Sequence, residues 1–168
     1  MIPLGTDVLS ILVSQHSEVD ELFDKIQRGL GDKRKQFILL ADKLAAHATV
    51  EEKIFYPAVM AEDTSDQLHE SVEEHLEIKR ILADLVTMKV DDETFDAKIS
   101  VLKENVSHHA HKEEEQKLFP KVRKRLSADE LAALGSEVLA MFEQLMPQHP
   151  SMQLATETAH AAPLPDVA

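Results

Sequence analysis

The sequence, 168 residues long, contains no cysteine. This absence excludes disulfide bonds, thiolate zinc sites, iron–sulfur clusters and thiol nucleophiles. It also leaves the redox compartment undetermined, because cysteine usage is the feature that would indicate it. Any metal bound by this chain must therefore be held by nitrogen and oxygen ligands.

Basic residues are outnumbered: 18 lysines and arginines stand against 31 aspartates and glutamates, a formal net charge of -13. Phosphate backbones and anionic lipid surfaces repel such a chain, so we expect neither nucleic acid nor a membrane as a partner. No apolar run approaches the roughly 18 residues of a membrane-spanning helix, and no basic segment precedes the first apolar run. These features predict a cytoplasmic protein.

Glycine is scarce as well, with four residues, while 43% of the chain is hydrophobic and 29% is charged. This composition is typical of a soluble, helix-rich protein, and the length fits one compact domain. Apolar residues recur at threes and fours along five segments, as in helices with one buried face. Side chains able to cap the starts of four of these helices are Thr6 or Asp7, Asp32, Asp91 or Asp92, and Ser127.

These segments predict an all-α fold, an antiparallel up-down-up-down four-helix bundle with a short fifth C-terminal helix. The fifth helix is expected to begin with a capping box formed by Ser127 and Glu130. Residues 1–146 are expected to form the bundle domain. Residues 147–168 contain prolines and have no periodicity, which predicts a loosely ordered, flexible tail.

Ionisable residues interrupt the apolar stripe of each of the first four helices. A buried charge without a partner costs several kcal/mol and an unsatisfied polar group about 1 to 3 kcal/mol, so such residues need a shared partner, which a cation supplies. At about 1.5 Å of rise per residue, all of them come within roughly 10 Å of one level of the bundle. The predicted metal ligands are His16, His47, Glu51, His75, His109 and Glu113.

The second and fourth helices each carry a His-x-x-x-Glu unit, whose two residues share one helix face. With one further histidine from each remaining helix, the two units supply four imidazoles and two carboxylates able to bridge ions about 3.5 to 4 Å apart. Imidazole and carboxylate ligands without sulfur favour iron or manganese over a structural zinc ion. The pattern therefore predicts a dinuclear site with open coordination positions.

Two stretches, HATVEEKIFYP in the second helix and HAHKEEEQKLFP in the fourth, combine with a lone histidine in the first and third helices. This combination closely resembles the hemerythrin-like family with its HHE cation-binding signature, over about residues 7 to 125. The resemblance implies a non-haem di-iron centre, with two iron ions of the Fe–O–Fe type and manganese as the less favoured metal. Its ligands would be the six residues above.

The resemblance also implies a small diatomic or peroxide ligand, which is O2, NO or hydrogen peroxide, with catalase-like peroxide disproportionation as one activity. The oxygen-carrying members place a histidine pair one turn apart on the third helix and an aspartate on the fourth. Here Ser71 and Lys79 flank His75, and the fourth helix offers glutamate. We therefore expect a more open and reactive iron pair than that of a reversible oxygen carrier.

The sequence leaves several alternatives open. His111 and Glu115 form a second His-x-x-x-Glu unit in the fourth helix, although the period favours 109 and 113. Tyr56, the only tyrosine, could reach the site from the second helix but lies off its apolar stripe. The rival function is a binding module that senses iron or oxygen without catalysis, with the fifth helix and tail reporting occupancy. The chain is expected to be a monomer or a homodimer.

Overall fold

The computed structural model describes residues 6–168, and every regular element within this range is helical. The predicted all-α fold is therefore confirmed. Two helices contain a π-helical stretch. The regular helices are α1, Val8–Gln27; α3, Ser65–Val86; and α5, Ala128–Leu145. Helix α2 consists of Lys33–Val50, the π-helical stretch Glu51–Phe55 and Tyr56–Val59, and helix α4 consists of Phe95–Ser107, the π-helical stretch His108–Leu118 and Phe119–Arg125. After α5 the chain forms 3-10 helices at Met146–Gln148 and Pro150–Glu157.

Side-chain caps fix the start of three helices. Asp7 accepts a hydrogen bond from the Ser10 N–H, and Asp32 accepts one from the Lys35 N–H. The capping box of α5 is also present, with both reciprocal bonds made between Ser127 and Glu130. These bonds satisfy backbone donors that the first turn leaves free, which is why short polar residues at these positions begin helices.

The predicted cap of α4 at Asp91 or Asp92 is wrong. The helix begins after Thr94, and Asp92 instead accepts hydrogen bonds from the backbone N–H and the hydroxyl of Thr94, both at 2.9 Å. Aspartate forms such local bonds to the backbone two residues ahead, so it stabilises the turn that precedes the helix.

Two hydrophobic clusters form the core. The first, which we call the Phe23 cluster, includes Val19, Phe23, Leu44, Ile78, Leu82, Leu85, Phe95 and Val106. The second, which we call the Phe55 cluster, includes Leu9, Leu12, Val50, Phe55, Val72, Leu118, Phe119 and Val138. In each of α1 to α4 the predicted metal-ligating histidine stands between residues of one cluster and residues of the other. The chain passes from one cluster to the other in alternating order, so the histidines share one layer between two apolar regions.

The C-terminal segment departs from the expectation of a loosely ordered tail. Residues Pro150–Glu157 form a 3-10 helix, and Leu154, 1% exposed, belongs to the Phe23 cluster. Buried Asp42 of α2 accepts hydrogen bonds from the backbone N–H and the hydroxyl of Ser151. Prolines and missing periodicity exclude a long amphipathic helix, but a short 3-10 turn needs only one buried side chain and a local anchor. This segment is therefore packed against the bundle.

No helix in residues 6–168 has the length and apolar content needed to cross a membrane.

Helix α5 packs closely against the beginning of α1 at Gly135. A Cβ atom at this position would lie 2.5 Å from the backbone oxygen of Thr6 and 3.1 Å from the backbone nitrogen of Val8. Both neighbours are backbone atoms, so neither can move without shifting the start of α1. Glycine is required here by space, since its backbone conformation is an ordinary helical one.

We predict that Gly135→Ala lowers the free energy of unfolding by about 1 to 3 kcal/mol, the usual cost of overpacking, although alanine is the better helix former. Chemical denaturation followed by circular dichroism measures the change. The matched control is Ser136→Ala, an alanine at the next, exposed position of the same helix. Equal stability of the two variants would show that α5 does not approach α1 this closely.

Candidate metal centre

Four histidines converge in the layer between the two core clusters. His16 of α1, His47 of α2, His75 of α3 and His109 of α4 are all buried. Their Nε2 atoms meet in pairs, 3.2 Å apart for His16 and His47 and 3.0 Å apart for His75 and His109. The structure thus brings together four of the six predicted ligands, as the estimate of depth along the helices required.

Glu51 of α2 joins the two histidine pairs. Its Oε1 atom lies 3.0 Å from His47 Nε2, and its Oε2 atom lies 3.1 Å from His75 Nε2. The carboxylate is completely buried. One carboxylate oxygen faces each pair, which is the arrangement of a bridging ligand.

The second carboxylate of the layer is Glu114, whereas the predicted ligand Glu113 lies outside the groups of converging ligand atoms. Glu114 Oε1 lies 2.7 Å from His109 Nε2, and Glu114 Oε2 lies 3.6 Å from His16 Nε2. Glu113 instead binds the exposed amine of Lys117 at 2.8 Å and lies 3.5 Å from His108. Groups of ligand atoms within 4.8 Å of one another include Glu114 and not Glu113.

The π-helical stretch of α4 explains why Glu114, one residue after the predicted Glu113, faces the histidines. A π-helix bonds each residue to the fifth before it, so the residue below His109 is the fifth onward, 114, and not the fourth, 113. The Phe119 N–H donates to the Glu114 carbonyl in this way, and the Tyr56 N–H donates to the Glu51 carbonyl. A regular period of 3.6 residues would direct position 113, instead of position 114, toward the histidines.

The sequence contains a feature that indicates Glu114, the proline six residues after it. Both π-helical stretches precede an aromatic residue and a proline, Tyr56-Pro57 in α2 and Phe119-Pro120 in α4. Proline has no N–H, so the helix before it lacks one regular hydrogen bond and takes up a different pairing. Counting back six residues from each proline gives Glu51 and Glu114.

The Nδ1 nitrogen of each of the four histidines in the layer lies within hydrogen-bond distance of an acceptor. The Nδ1 atoms of His16, His75 and His109 lie 2.7, 2.9 and 3.0 Å from carboxylate oxygens of Glu115, Glu52 and Glu74 respectively. His47 Nδ1 lies 2.6 Å from the amide oxygen Oε1 of Gln15. A proton on Nδ1 donates to these acceptors, which leaves the lone pair on each Nε2 directed inward. Metal-binding histidines are oriented by such bonds.

The ligand atoms form two groups that share both carboxylates. One group contains His16, His47, Glu51 and Glu114, and the other contains His75, His109, Glu51 and Glu114. Each group has two imidazole nitrogens and two carboxylate oxygens, all from fully buried residues. The donor set thus fits two cations held side by side with two bridging carboxylates.

Two carboxylate oxygens are left without hydrogen bonds, which tests whether this layer suits a metal. Glu51 Oε1 and Glu114 Oε2 are buried and have no hydrogen-bond partner. The 3.0 Å contact between Glu51 Oε1 and His47 Nε2 lacks the angle of a hydrogen bond. An unsatisfied buried acceptor costs about 1 to 3 kcal/mol, and a cation between the carboxylates would satisfy both. The residues therefore fit a bound cation.

Two ionisable groups of the layer, Glu51 and His109, have strongly shifted pKa values in the absence of metal. Burial raises the pKa of the Glu51 carboxyl, but the charge of His47 and the contacts of His47, His75 and His109 outweigh it and hold that pKa well below its ordinary value. Burial lowers the pKa of His109, yet the charge of Glu114 and its hydrogen bonds raise that pKa well above the ordinary value. Without metal, Glu51 is therefore held ionised and His109 is held protonated. Metal binding would release the proton from His109.

Tyr56 reaches the centre of the layer. Its hydroxyl lies 2.6 Å from Glu114 Oε1 and 3.1 Å from Glu51 Oε2, and 3.3 Å from the Nε2 atoms of His75 and His109. Burial and the two nearby carboxylates raise the pKa of Tyr56 well above its ordinary value, so the hydroxyl keeps its proton. The π-helical turn between Glu51 and Tyr56 brings this side chain inward from a position that lies off the regular stripe.

The alternative unit formed by His111 and Glu115 lies outside the ligand groups. His111 is partly exposed and binds Glu115 through Nδ1 at 2.7 Å and Asp20 through Nε2 at 2.8 Å. The same Glu115 oxygen accepts the bond from His16 Nδ1. This unit therefore supports His16 from outside.

A small cavity of about 30 Å³ adjoins the histidines on the side of the Phe23 cluster. All four histidines line it, whereas Glu51, Glu114 and Tyr56 do not. The remaining wall is mainly apolar, with Gln15 and Lys79 as the other polar residues. Its apolar lining residues are Val19, Leu44, Ala45, Ala48, Ile78, Leu82, Val106, Ala110 and Leu154.

Comparison with known proteins agrees with this geometry. A family model described as the hemerythrin HHE cation-binding domain matches residues 7–122. A crystal structure of a hemerythrin HHE cation-binding domain-containing protein from Mycobacterium kansasii superposes with a TM-score of 0.75 at 21% identity, covering 91% of this chain and 94% of the other. This likeness shows the shared fold.

A curated relative from Nostoc sp. (strain PCC 7120), described as a DNA nickase, is 26% identical over 136 residues. The alignment covers 80% of this chain and 38% of the relative, so the chain spans well under half of that protein's length.

Replacing Glu113 or Glu114 by alanine tests which of the two glutamates is a metal ligand. We predict that Glu114→Ala lowers the metal bound per chain to about half or less, because both ligand groups lose a shared carboxylate, and metal affinity follows the ligand set. The matched control, Glu113→Ala, removes contacts to Lys117 and His108, both outside the ligand groups, and should keep the full metal content. Elemental analysis after dialysis measures both. Loss of metal in the Glu113 variant alone would restore the original assignment.

Proposed function

Because the chain belongs to the hemerythrin HHE cation-binding domain family, we propose that its buried layer binds two iron ions. The proposed ligands are His16, His47, Glu51, His75, His109 and Glu114. Imidazole and carboxylate donors without sulfur suit iron, and manganese is the less favoured alternative. The ligand groups that share two carboxylates are the observation that supports a pair over a single ion.

We infer that the four long helices form the antiparallel up-down-up-down bundle. The alternating order in which α1 to α4 pass between the Phe23 and Phe55 clusters supports this arrangement. Each helix then supplies one histidine at the same level, and α2 and α4 each add a carboxylate.

The proposed reaction partner is O2, NO or hydrogen peroxide, and disproportionation of peroxide is the proposed activity. An iron pair, when bound, supplies redox chemistry and coordination positions that the protein leaves open. The cavity beside the four histidines supports a ligand of this size, since a cavity of about 10 to 15 Å³ holds one water molecule and this one measures about 30 Å³.

The protein's own residues have distinct roles in this proposal. The four Nδ1 bonds hold the imidazoles in one tautomer and orientation. The Tyr56 hydroxyl holds a proton 2.6 Å from Glu114 Oε1, within the layer and away from solvent. The apolar cavity wall keeps bulk water from the open side of the histidines.

Cleavage of DNA is not carried over from the Nostoc relative. The chain aligns with 38% of that protein, and its formal charge of -13 opposes binding to a phosphate backbone. A cytoplasmic location and a monomeric or homodimeric state are further proposals.

A second candidate function is a sensing module without catalysis, in which occupancy of the layer changes the C-terminal segment. Leu154 favours it, because this residue of the segment Pro150–Glu157 lines the cavity beside the histidines. A ligand that alters this wall would alter the packing of the segment, and its binding energy would appear as stability.

The leading proposal predicts that iron-loaded protein changes its absorption spectrum with O2 or NO and evolves oxygen from hydrogen peroxide. The double variant His47→Ala with Glu51→Ala should lose these responses together with its iron, since it removes a terminal and a shared ligand. His69→Ala, at an exposed position of α3, is the matched control and should respond as the unaltered protein. An iron-loaded protein that responds to none of the three ligands would exclude the proposal.

The sensing alternative predicts that residues 126–168 are cleaved at least about tenfold more slowly by a protease when iron is bound. Proteolysis follows the population of the opened segment, which ligand binding reduces. Mass spectrometry of the fragments over time measures the rate with and without iron. Equal cleavage rates would remove this candidate.

A further inference from the structure

We propose that Leu154 sets the size of the ligand that reaches the proposed iron pair, an inference that rests on the proposed function. It lines the cavity beside the four histidines from a segment outside the family match, which ends at residue 122. The C-terminal segment would thus act as a specificity element of the site.

Leu154 fills the space between two helices. It is 1% exposed, belongs to the Phe23 cluster and lines the cavity together with His16, His47, His75 and His109. The segment that carries it, Pro150–Glu157, packs against α2 and α3. A smaller side chain at this position would enlarge the cavity.

Hydrogen bonds and ion pairs anchor the segment on both sides of Leu154. Before it, Asp42 accepts bonds from the Ser151 hydroxyl at 2.6 Å, the Ser151 N–H at 3.1 Å and His149 Nδ1 at 2.9 Å. After it, Glu157 lies 3.6 Å from the Nζ atom of buried Lys79, and Arg80 donates to the Thr158 carbonyl at 3.1 Å. Anchors on both sides hold Leu154 against the cavity, so the wall is a fixed part of the structure.

The size of the cavity determines what it accepts. About 10 to 15 Å³ is enough for one water molecule, so about 30 Å³ accommodates a ligand of about two heavy atoms. Oxygen, nitric oxide and hydrogen peroxide meet this limit, whereas a ring compound does not. In a close-packed pocket, one methylene of space changes discrimination between ligands by about 10- to 200-fold.

The test compares Leu154→Ala with Leu85→Ala in the iron-loaded, full-length chain. Leu85 is buried in the same Phe23 cluster but does not line the cavity, so both variants lose a similar amount of core packing. Azide, with three heavy atoms, and imidazole, with five, are titrated and followed by absorption. We expect Leu154→Ala to raise the affinity for imidazole relative to azide by about tenfold or more. Leu85→Ala should leave this ratio within about twofold.

A second measurement does not depend on iron chemistry. Xenon binds apolar cavities, and enlargement of this one should shift the xenon-129 resonance of Leu154→Ala and strengthen xenon binding, but not in Leu85→Ala. Leu154→Phe should act in the opposite direction and weaken azide binding by about tenfold. If Leu154→Ala does not fold, Leu154→Val, which removes one methylene, gives the same comparison on a smaller scale.

The failure of this inference is distinct from failure of the proposed function. If unaltered iron-loaded protein binds azide and NO but the imidazole-to-azide ratio is the same in both alanine variants, Leu154 does not control ligand size. The same conclusion follows if Leu85→Ala changes the ratio as much as Leu154→Ala does. If the unaltered protein binds no small ligand, the proposed function fails first, and this inference fails with it.

Discussion

The structure depends on six buried ionisable side chains that lie in one layer and have only one another and the groups directly around them as partners. Above and below them the core is hydrocarbon, so neither the Phe23 cluster nor the Phe55 cluster can satisfy a charge. Such groups are costly unless they are paired or bind a cation. The helices must therefore meet in the register that brings four imidazoles to two carboxylates, and the outer acceptors on Nδ1 fix how each imidazole enters the layer.

The two π-helical stretches determine which side chains of α2 and α4 face the layer. In α2 Glu51 lies one regular turn after His47, and the wider turn that follows it directs Tyr56 inward, where a regular helix would direct it away. In α4 it moves the inward position from residue 113 to residue 114. Both stretches end two residues before a proline, which removes a backbone donor. The local irregularity and the metal-binding layer are thus parts of one arrangement, as is common where π-helical turns occur.

Much of the fold could be predicted from the sequence because it follows from local rules. Period and capping residues gave the all-α class and the starts of α2 and α5, and a common depth identified five of the six residues now placed in the layer. The expectation for Glu113 used one helical period throughout α4, whereas its π-helical stretch directs Glu114 toward the histidines. The C-terminal segment could not be predicted, since a single buried leucine and its bonds to Asp42 are a tertiary feature that no periodicity reports.

The acidic residues around the layer provide negative charge that would balance bound cations. Two divalent ions, if bound between the two carboxylates, would carry an excess of two positive charges, because the four imidazoles would be neutral as ligands. Glu52, Glu74 and Glu115, bonded to the histidines, add three negative charges, and Lys79, bonded to Glu52, adds one positive charge. The charges of these named groups would therefore sum to zero with a divalent pair, provided that Tyr56 keeps its proton, as its raised pKa requires. An additional positive charge on the pair would favour an anion nearby. The cavity beside the histidines, with Lys79 in its wall, is the space that the structure offers for one.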